Sequence, residues 1–133
     1  MAYLKPPIFV QRVFNPLAQR FGIGGAERLV VPGHRTGHPT TTPLIPVEHG
    51  GARYLVSTRG ESEWVRNLRA AGGGELGRGG AAKHFLATEI PANERPQIIA
   101  AYRQKAGKTT ETYFKKLPDA ADHPIFRMES TSA

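Results

Sequence analysis

The chain has 133 residues, no cysteine and a formal charge of +7, from 18 Lys and Arg against 11 Asp and Glu. Its length predicts a single domain. The lack of cysteine excludes disulfides, thiolate zinc sites, iron–sulfur clusters and a thiol nucleophile, and it is compatible with a reducing compartment. The positive charge favours an anionic partner, a condition that nucleic acid, an acidic membrane surface and a phosphate-bearing small molecule all meet.

Residues 6–21, within an N-terminal segment 1–22, are predicted to form an amphipathic helix with a break near Asn15-Pro16. The basic residues beside its apolar stripe predict either contact with the inner face of a membrane or packing against the rest of the domain. No apolar stretch reaches the roughly 18 residues of a membrane span, and a secretory signal pattern is lacking, so a cytoplasmic protein is expected. The stripe is Phe9, Val13, Leu17 and Phe21, and the basic residues are Lys5, Arg12 and Arg20.

Between residues 27 and 58 the chain changes to short β-branched runs separated by turn residues, which predicts a β-meander. The runs lie at 28–31, 41–47 and 53–56. Pro43 and Pro46 lack a backbone N–H, so the middle strand is predicted to be bulged or to lie at an edge of the sheet.

The middle of the chain contains a helix followed by a glycine run. Thr58 or Ser62 can cap a helix predicted to end at about Ala71, where Gly72-Gly73-Gly74 begins. Gly72, Gly74 and Gly77 match the dinucleotide fingerprint G-x-G-x-x-G, but that motif requires a preceding strand and a following helix. Here the order is reversed, which favours helix termination and a tight turn.

The second half of the chain is predicted to hold further strands and one helix. A weak strand is expected near 75–78 and a clear one over 84–90. Asn93 is expected to cap a helix that Gly107 stops. After a polar, Thr-rich stretch, residues 124–128 are predicted as the last strand, with a frayed tail after them.

These elements predict a mainly β, α+β protein whose short antiparallel strands, about six in number, form a small barrel. Two or three helices accompany the barrel in addition to the N-terminal one. One domain is expected over 1–133, with the barrel and its inserted helices over 27–129.

Motifs for protein-borne catalysis, metal binding or nucleic-acid binding are weak. His34 and His38 have helical metal-ligand spacing, but Gly37 and Pro39 disfavour a helix there, so a metal site is not expected. Neither G-x-S-x-G nor a P-loop occurs. The aromatic residues follow core-like spacings instead of alternating with Arg and Lys, which disfavours nucleic acid.

The segment 32–44 has the composition of an anion-binding turn. Between two predicted strands it offers Arg35, two glycines whose backbone can approach a ligand, and several threonine hydroxyls. Backbone amides, a guanidinium and hydroxyls are the groups that bind phosphate. The alternative is an ordinary β-hairpin with a solvated basic tip.

Three blocks resemble the deazaflavin-dependent oxidoreductases of the nitroreductase type, a family that binds coenzyme F420 in a split β-barrel. The family's Gly-Arg-Lys-Ser/Thr-Gly and subsequent Pro-Leu correspond to Gly33-His34-Arg35-Thr36-Gly37 and Pro43-Leu44. A strand end with a hydroxyl and a basic residue before Gly, then Trp and Asn-Leu, corresponds to Ser57-Thr58-Arg59-Gly60, Trp64 and Asn67-Leu68. The closing His123-Pro124-Ile125-Phe126-Arg127 is also similar to the family.

Carried over by position, the resemblance implies four groups of cofactor-binding residues. The phosphate and acidic tail are met by His34, Arg35 and Thr36, and the passage to the ring is lined by Thr40, Thr42 and Pro43. The ring or ribityl chain is contacted by Ser57, Thr58, Arg59 and Gly60, and the pocket is closed by Trp64, Asn67 and Leu68. The family commonly has Arg at the position of His34 and a basic residue at that of Thr40, so fewer charges hold the tail here.

The resemblance implies an F420-dependent reductase that transfers a hydride from the reduced cofactor to a small oxidised acceptor such as a quinone, a nitro compound or an enone. The cofactor carries the hydride, so no catalytic residue is assigned, and water or a hydroxyl of Ser57 or Thr58 can supply a proton. The alternatives are a split barrel that binds FMN, one that binds haem through His49 or His84, and a non-catalytic binder of deazaflavin or lipid. A monomer and a homodimer are both compatible with the sequence.

Overall fold

The computed structural model describes residues 26–78 and 82–131, which hold seven β-strands and three α-helices. The strands are β1 (Glu27–Pro32), β2 (Pro39–Leu44), β3 (Val47–His49), β4 (Ala52–Val56), β5 (Gly73–Gly77), β6 (Lys83–Glu89) and β7 (Ile125–Ser130). The helices are α1 (Glu63–Ala71), α2 (Arg95–Ala106) and α3 (Glu111–Lys116), with short 3₁₀ turns at Ala92–Glu94, Gly107–Thr110 and Ala120–Asp122. The predicted N-terminal helix lies outside the described residues.

The strands form one antiparallel sheet in the order β2-β1-β5-β6-β7-β4-β3. Its two edge strands, β2 and β3, are separated in the chain by Ile45 and Pro46 alone. In a flat sheet of this order the edges would lie about 29 Å apart, at about 4.8 Å per strand. Because three peptide steps span at most about 11 Å, the sheet must curl until its edges approach each other, which makes it a barrel.

The prediction of a meander over 27–58 is wrong. β1 and β2 form one hairpin and β3 and β4 another, and the two hairpins lie at opposite ends of the strand order. The run 41–47 breaks at Ile45 and Pro46 because Pro46 has no N–H to donate to a ladder. The proline argument itself is confirmed, since Pro43 lies in an edge strand.

Two apolar clusters stabilise the described part of the chain. The first fills the barrel, where α1 packs against the inner face of the sheet, and the second joins α2 and α3 to β3, β4 and β7. The barrel cluster is Leu29, Val31, Leu55, Trp64, Val65, Leu68, Leu76, Phe85 and Phe126. The helical cluster is Val47, Val56, Ile90, Ile98, Ile99, Tyr102, Phe114 and Ile125.

The glycine run after α1 has two structural roles. Gly72 ends the helix with φ of 74°, a conformation that favours glycine. Gly73 and Gly74 then belong to β5, where a β-carbon on Gly73 would lie 2.3 Å from the Phe85 carbonyl oxygen, and one on Gly74 2.9 Å from that of Val30. The run leads from a helix into a strand, as predicted, and close backbone approach explains its composition.

Three details of the second half differ from the sequence prediction. Asn93 lies inside a 3₁₀ turn, and Glu94 is the residue that precedes α2. The Thr-rich stretch after Gly107 is helical, since it forms a 3₁₀ turn and α3. β7 continues to Ser130, so the tail begins later than predicted. Pairing with β6 explains the longer strand, because Leu86 and Phe85 oppose the last two residues of β7.

Candidate functional site

The turn between β1 and β2 spans residues 33–38 and closes through its own hydrogen bonds. The Gly33 N–H donates to the His38 carbonyl at 2.8 Å, and the Gly37 N–H donates to the Gly33 carbonyl at 2.9 Å. The His38 N–H donates to the Thr36 hydroxyl at 3.2 Å, and Gly37 has φ of 76°. Arg35 lies exposed at the tip, so its guanidinium is available to an anion.

A buried amide on α1 ties this turn to the rest of the barrel. Asn67 Oδ1 accepts from the His34 backbone N–H at 2.9 Å and lies 2.6 Å from His34 Nδ1. Asn67 Nδ2 donates to the Thr40 hydroxyl at 3.3 Å, and that hydroxyl donates to the Val31 carbonyl at 2.7 Å. Glu63 Oε1 lies 3.8 Å from His34 Nδ1 and places an acid beside the turn.

The β2 residues of the site are all half-buried but differ in how their side chains are engaged. Thr42 lies opposite Leu29 of β1 and Pro43 opposite Arg28, and both β2 residues are half-buried. Thr40 is also half-buried, but its hydroxyl is engaged within the protein by the two hydrogen bonds described above.

The loop 57–60 follows β4 and leads into α1. Ser57 is buried, its hydroxyl donates to the Gly60 carbonyl at 2.5 Å, and its N–H donates to the Pro124 carbonyl at 2.9 Å. The Ser57 carbonyl lies 2.8 Å from His123 Nδ1. Gly60 has φ of 83°, a conformation that other residues rarely adopt. These contacts define the shape of the loop.

Arg59 carries an unsatisfied donor in this loop. Among the buried side-chain polar atoms of residues 26–78 and 82–131, its Nε alone lacks a hydrogen-bond partner. Its guanidinium carbon lies 5.9 Å from the ring centroid of Tyr113, within the range of a cation–π contact. A buried N–H without a partner is unfavourable by about 1–3 kcal/mol, so the atom is suited to an acceptor supplied by a ligand.

Trp64, Asn67 and Leu68 lie on the buried face of α1. The Trp64 ring packs against that of Phe126 at 6.0 Å between centroids, and both Trp64 and Leu68 belong to the barrel cluster. Since α1 begins three residues after Gly60 and binds the turn through Asn67, it joins both parts of the candidate site.

Arg69 belongs to an ion-pair network on the other side of α1. Its guanidinium donates to Glu61 at 2.8 Å and to Glu89 at 2.8 Å, and Arg95 approaches Glu89 at 3.5 Å. The hydrogen bond from Arg69 holds the pKa of Glu61 below its ordinary value, and the two acids raise the pKa of Arg69. The network connects α1, β6 and α2.

Sequence reasoning did not assign Tyr113, Tyr102 or His123 to the site. Burial raises the pKa of Tyr102 to about 12, and the nearby charge of Arg59 acts in the opposite direction. His123 is buried between the carbonyls of Ser57 and Leu117, at 2.8 and 2.6 Å from its two ring nitrogens. The His-Pro of the closing block is the available signal for His123. The tyrosines carry no such signal, because Tyr102 lies in an ordinary predicted helix and Tyr113 in the polar, Thr-rich stretch.

The histidines considered as haem ligands have protein partners. His49 Nε2 lies 3.3 Å from Gln97 Oε1, and His84 Nδ1 lies 3.1 Å from the Thr131 hydroxyl. The described residues contain no group of three or more His, Asp or Glu that could hold a metal ion. Within the same part of the chain, no helix is long and apolar enough to cross a membrane.

Comparison with known proteins gives a family match and several structural likenesses. The model of the family described as F420H(2)-dependent quinone reductase matches residues 10–117. The comparison with curated proteins finds no match.

The solved structures share the fold at low sequence identity. An F420-H2 dependent reductase, FDR-A, is 21% identical with a TM-score of 0.58, over 78% of this chain and 93% of that chain. A structure described as a domain-swapped dimer is 19% identical with a TM-score of 0.59, over 94% of this chain and 100% of that chain. The heme storage protein HutZ of Vibrio cholerae is 12% identical with a TM-score of 0.62, over 90% and 91%. These likenesses confirm the predicted split β-barrel.

Proposed function

The chain belongs to the F420H(2)-dependent quinone reductase family, whose model matches residues 10–117, and we propose that it transfers a hydride from reduced F420 to a small oxidised acceptor. A quinone, a nitro compound or an enone is the proposed acceptor class. Family membership makes the chain an F420-dependent reductase, and the acceptor is the finer part of the proposal.

The structural observation that best supports the proposal is the unpaired buried Nε of Arg59. It lies in a loop that α1 connects to the basic turn 33–38, so two groups of donors occur on one connected part of the barrel. F420 carries a phosphodiester and an acidic tail, and backbone amides, hydroxyls and arginines are the groups that bind such anions. The residues present therefore fit this cofactor.

Each part of the site has a proposed role in binding. The turn residues His34, Arg35 and Thr36 bind the phosphate and acidic tail, and β2 lines the passage to the ring through Thr40, Thr42 and Pro43. Ser57, Thr58, Arg59 and Gly60 contact the ring or ribityl chain, while Trp64, Asn67 and Leu68 close the pocket as a buried layer behind these residues.

In this proposal the protein binds and orients the cofactor and excludes water from it. When bound, the cofactor supplies the hydride from the carbon of its reduced ring. The Ser57 hydroxyl already donates its proton to the Gly60 carbonyl. The Thr58 hydroxyl or water is therefore a better proton source than Ser57. The buried Trp64 and Leu68 form an apolar wall that keeps water from the inner side of the site.

Parallel titration of the purified chain with oxidised F420 and with FMN tests the cofactor. We expect micromolar or tighter binding of F420, seen as quenching of deazaflavin fluorescence, and much weaker binding of FMN, which lacks the acidic tail. Equal affinities for the two cofactors would reject the assignment.

Single-turnover oxidation of reduced F420 tests the acceptor. The loaded protein is mixed with a quinone, a nitroaromatic compound or an enone, and reoxidation is followed by the return of the visible absorbance of the oxidised deazaflavin. Oxidation no faster than that of free cofactor with all three would reject the proposed acceptor classes while leaving the cofactor assignment to the titration.

The assembly state is proposed to be a homodimer. The support is the similar structure described as a domain-swapped dimer, together with a sheet that leaves strand edges at β2 and β3. Light scattering after size-exclusion chromatography distinguishes a dimer from a monomer. Cytoplasmic location and membrane contact through residues 1–22 stay predictions from the sequence.

A further inference from the structure

The turn 33–38 is exposed, yet it is anchored by a side chain that is almost completely buried. His34, Arg35 and Thr36 are exposed as residues, while Asn67 is 1% exposed. The turn's internal hydrogen bonds define its shape but do not attach it to another element. Its attachment to α1 runs through Asn67.

The directions of the hydrogen bonds define what Asn67 does. A backbone N–H can only donate, so the atom facing the His34 N–H at 2.9 Å is the amide oxygen Oδ1. The same oxygen faces His34 Nδ1 at 2.6 Å, which places a hydrogen on that ring nitrogen. The amide nitrogen donates in the other direction, to the Thr40 hydroxyl at 3.3 Å.

These contacts use the Asn67 side chain within the protein. Its oxygen accepts two hydrogens, its nitrogen donates to β2, and burial keeps solvent and a large ligand from it. Glu63, one helical turn earlier, lies 3.8 Å from the same His34 nitrogen and can strengthen the contact when the imidazole is charged. Asn67 therefore acts on the site through His34 and Thr40.

We propose that Asn67 is a positioning residue that holds the 33–38 turn against α1 and so fixes the distance between the turn and the loop 57–60. Its consequence for F420 rests on the proposed function, because the turn must bind the anionic end of the cofactor for its position to affect affinity. The attachment itself is a property of the free protein and can be tested without a ligand.

Amide exchange in the free protein tests the attachment. In the wild type, the His34 amide is expected to exchange about tenfold more slowly than the Arg35 amide, the ratio that corresponds to one hydrogen bond. Asn67→Ala is expected to remove this difference. Asn67→Asp keeps the acceptor oxygen and is expected to retain the protection. Gln97→Ala, which removes another side-chain amide that contacts a histidine, is the matched control and should leave His34 unchanged.

A double-mutant cycle tests the consequence for the cofactor. Asn67→Ala is expected to weaken F420 binding by about tenfold. Its effect is expected to be smaller in a His34→Ala background, where the imidazole contact is already lost while the backbone N–H of residue 34 still donates to Asn67. Gln97→Ala should bind F420 like the wild type. An unchanged affinity in Asn67→Ala would overturn the positioning role.

The exchange measurement and the binding measurement distinguish failure of this inference from failure of the proposed function. If the wild type binds no F420, the cofactor assignment fails, and the exchange of the His34 amide alone decides the attachment. If Asn67→Ala does not fold, the slow exchange of His34 in the wild type and its retention in Asn67→Asp are the deciding measurements. Fast exchange of the His34 amide in the wild type would overturn the inference in either case.

Discussion

At the residue scale, the site combines one exposed arginine with one that is partly enclosed. Arg35 lies at the tip of a turn, where a charge meets water and salt. Arg59 lies in a loop with its Nε buried and unpaired and its guanidinium beside Tyr113. The two side chains should therefore respond differently to substitution, to salt and to the absence of a ligand.

Replacing Arg35 with Ala should weaken F420 binding by about 1.5–3 kcal/mol, the range for a hydrogen bond to a charged group. The loss should become smaller at high salt, because an exposed charge is screened. Fluorescence titration at low and high ionic strength measures both effects. Arg127→Ala, which removes an exposed arginine of β7 paired with Glu129, is the control, and a loss under twofold for Arg35→Ala would show that Arg35 is only a solvated charge.

Replacing Arg59 with Ala should weaken F420 binding by about tenfold or more while changing the stability of the free protein by less than about 1 kcal/mol. The lost contact with Tyr113, about 0.5–1 kcal/mol, is offset by removal of an unpaired buried donor. Thermal unfolding with and without F420 measures the two effects. Arg103→Ala, which removes a similar contact over Phe114, should leave F420 affinity unchanged, and equal affinity in the Arg59 variant would contradict a ligand contact.

At the element scale, the sequence predicts best the elements whose ends carry strong local signals. α1 begins after Ser62 and ends before Gly72, where the cap residues predict its ends, although the Ser62 side chain makes no capping hydrogen bond. The polar, Thr-rich stretch after Gly107 carries no helix signal in the sequence because threonine has low helix propensity, but Phe114 packs with Tyr102 and His123 and stabilises α3 through tertiary contacts. The separation of β2 from β3 is a property of barrel closure and has no signal within either strand.

The candidate site also combines features that have a local signal in the sequence with features that depend on tertiary packing. The turn and loop residues follow one another in the sequence, so local motifs are enough to propose them. Asn67 is proposed from a local motif too, but its partners His34 and Thr40 lie 33 and 27 residues away, so its role depends on how α1 packs against the β1–β2 hairpin. Tyr113 reaches Arg59 by the same kind of long-range packing.

Replacing Gly73 with Ala should destabilise β5 by about 1–3 kcal/mol, the usual effect of excess volume in a packed region. The added β-carbon would lie 2.3 Å from the Phe85 carbonyl oxygen, so β5 and β6 would have to separate. Chemical denaturation measures the change. Ala70→Ser on the exposed side of α1 is the control, expected within about 0.5 kcal/mol of the wild type, and an equally stable Gly73 variant would show that the strands are less closely packed.

At the scale of the whole molecule, the barrel and the helical cluster are held together by charge as well as by apolar packing. Arg69 on α1 binds Glu61 and Glu89, and Arg95 at the start of α2 donates to the carbonyls of Ile90 and Ala121 as well as approaching Glu89. The network therefore links the helix that carries the candidate site to the region that carries α2.

This network should make stability depend on pH in the acid range. The hydrogen bond from Arg69 lowers the pKa of Glu61 in the folded protein, so the ionised carboxylate stabilises the fold. The contribution is complete above the ordinary value near 4.5 and is lost as the pH falls through the lower, folded pKa. Because Arg69 is partly exposed, the contribution at pH 7 is expected to be only about 0.5–1 kcal/mol.

Unfolding free energies of the wild type and Glu61→Gln should therefore differ at pH 7 and converge as the pH falls below about 4.5. Glu129→Gln, which removes an exposed acid paired with Arg127, should show a smaller difference at pH 7, and a gap between the wild type and Glu61→Gln that persists at low pH would mean that the Glu61 carboxylate does not stabilise the fold through its charge.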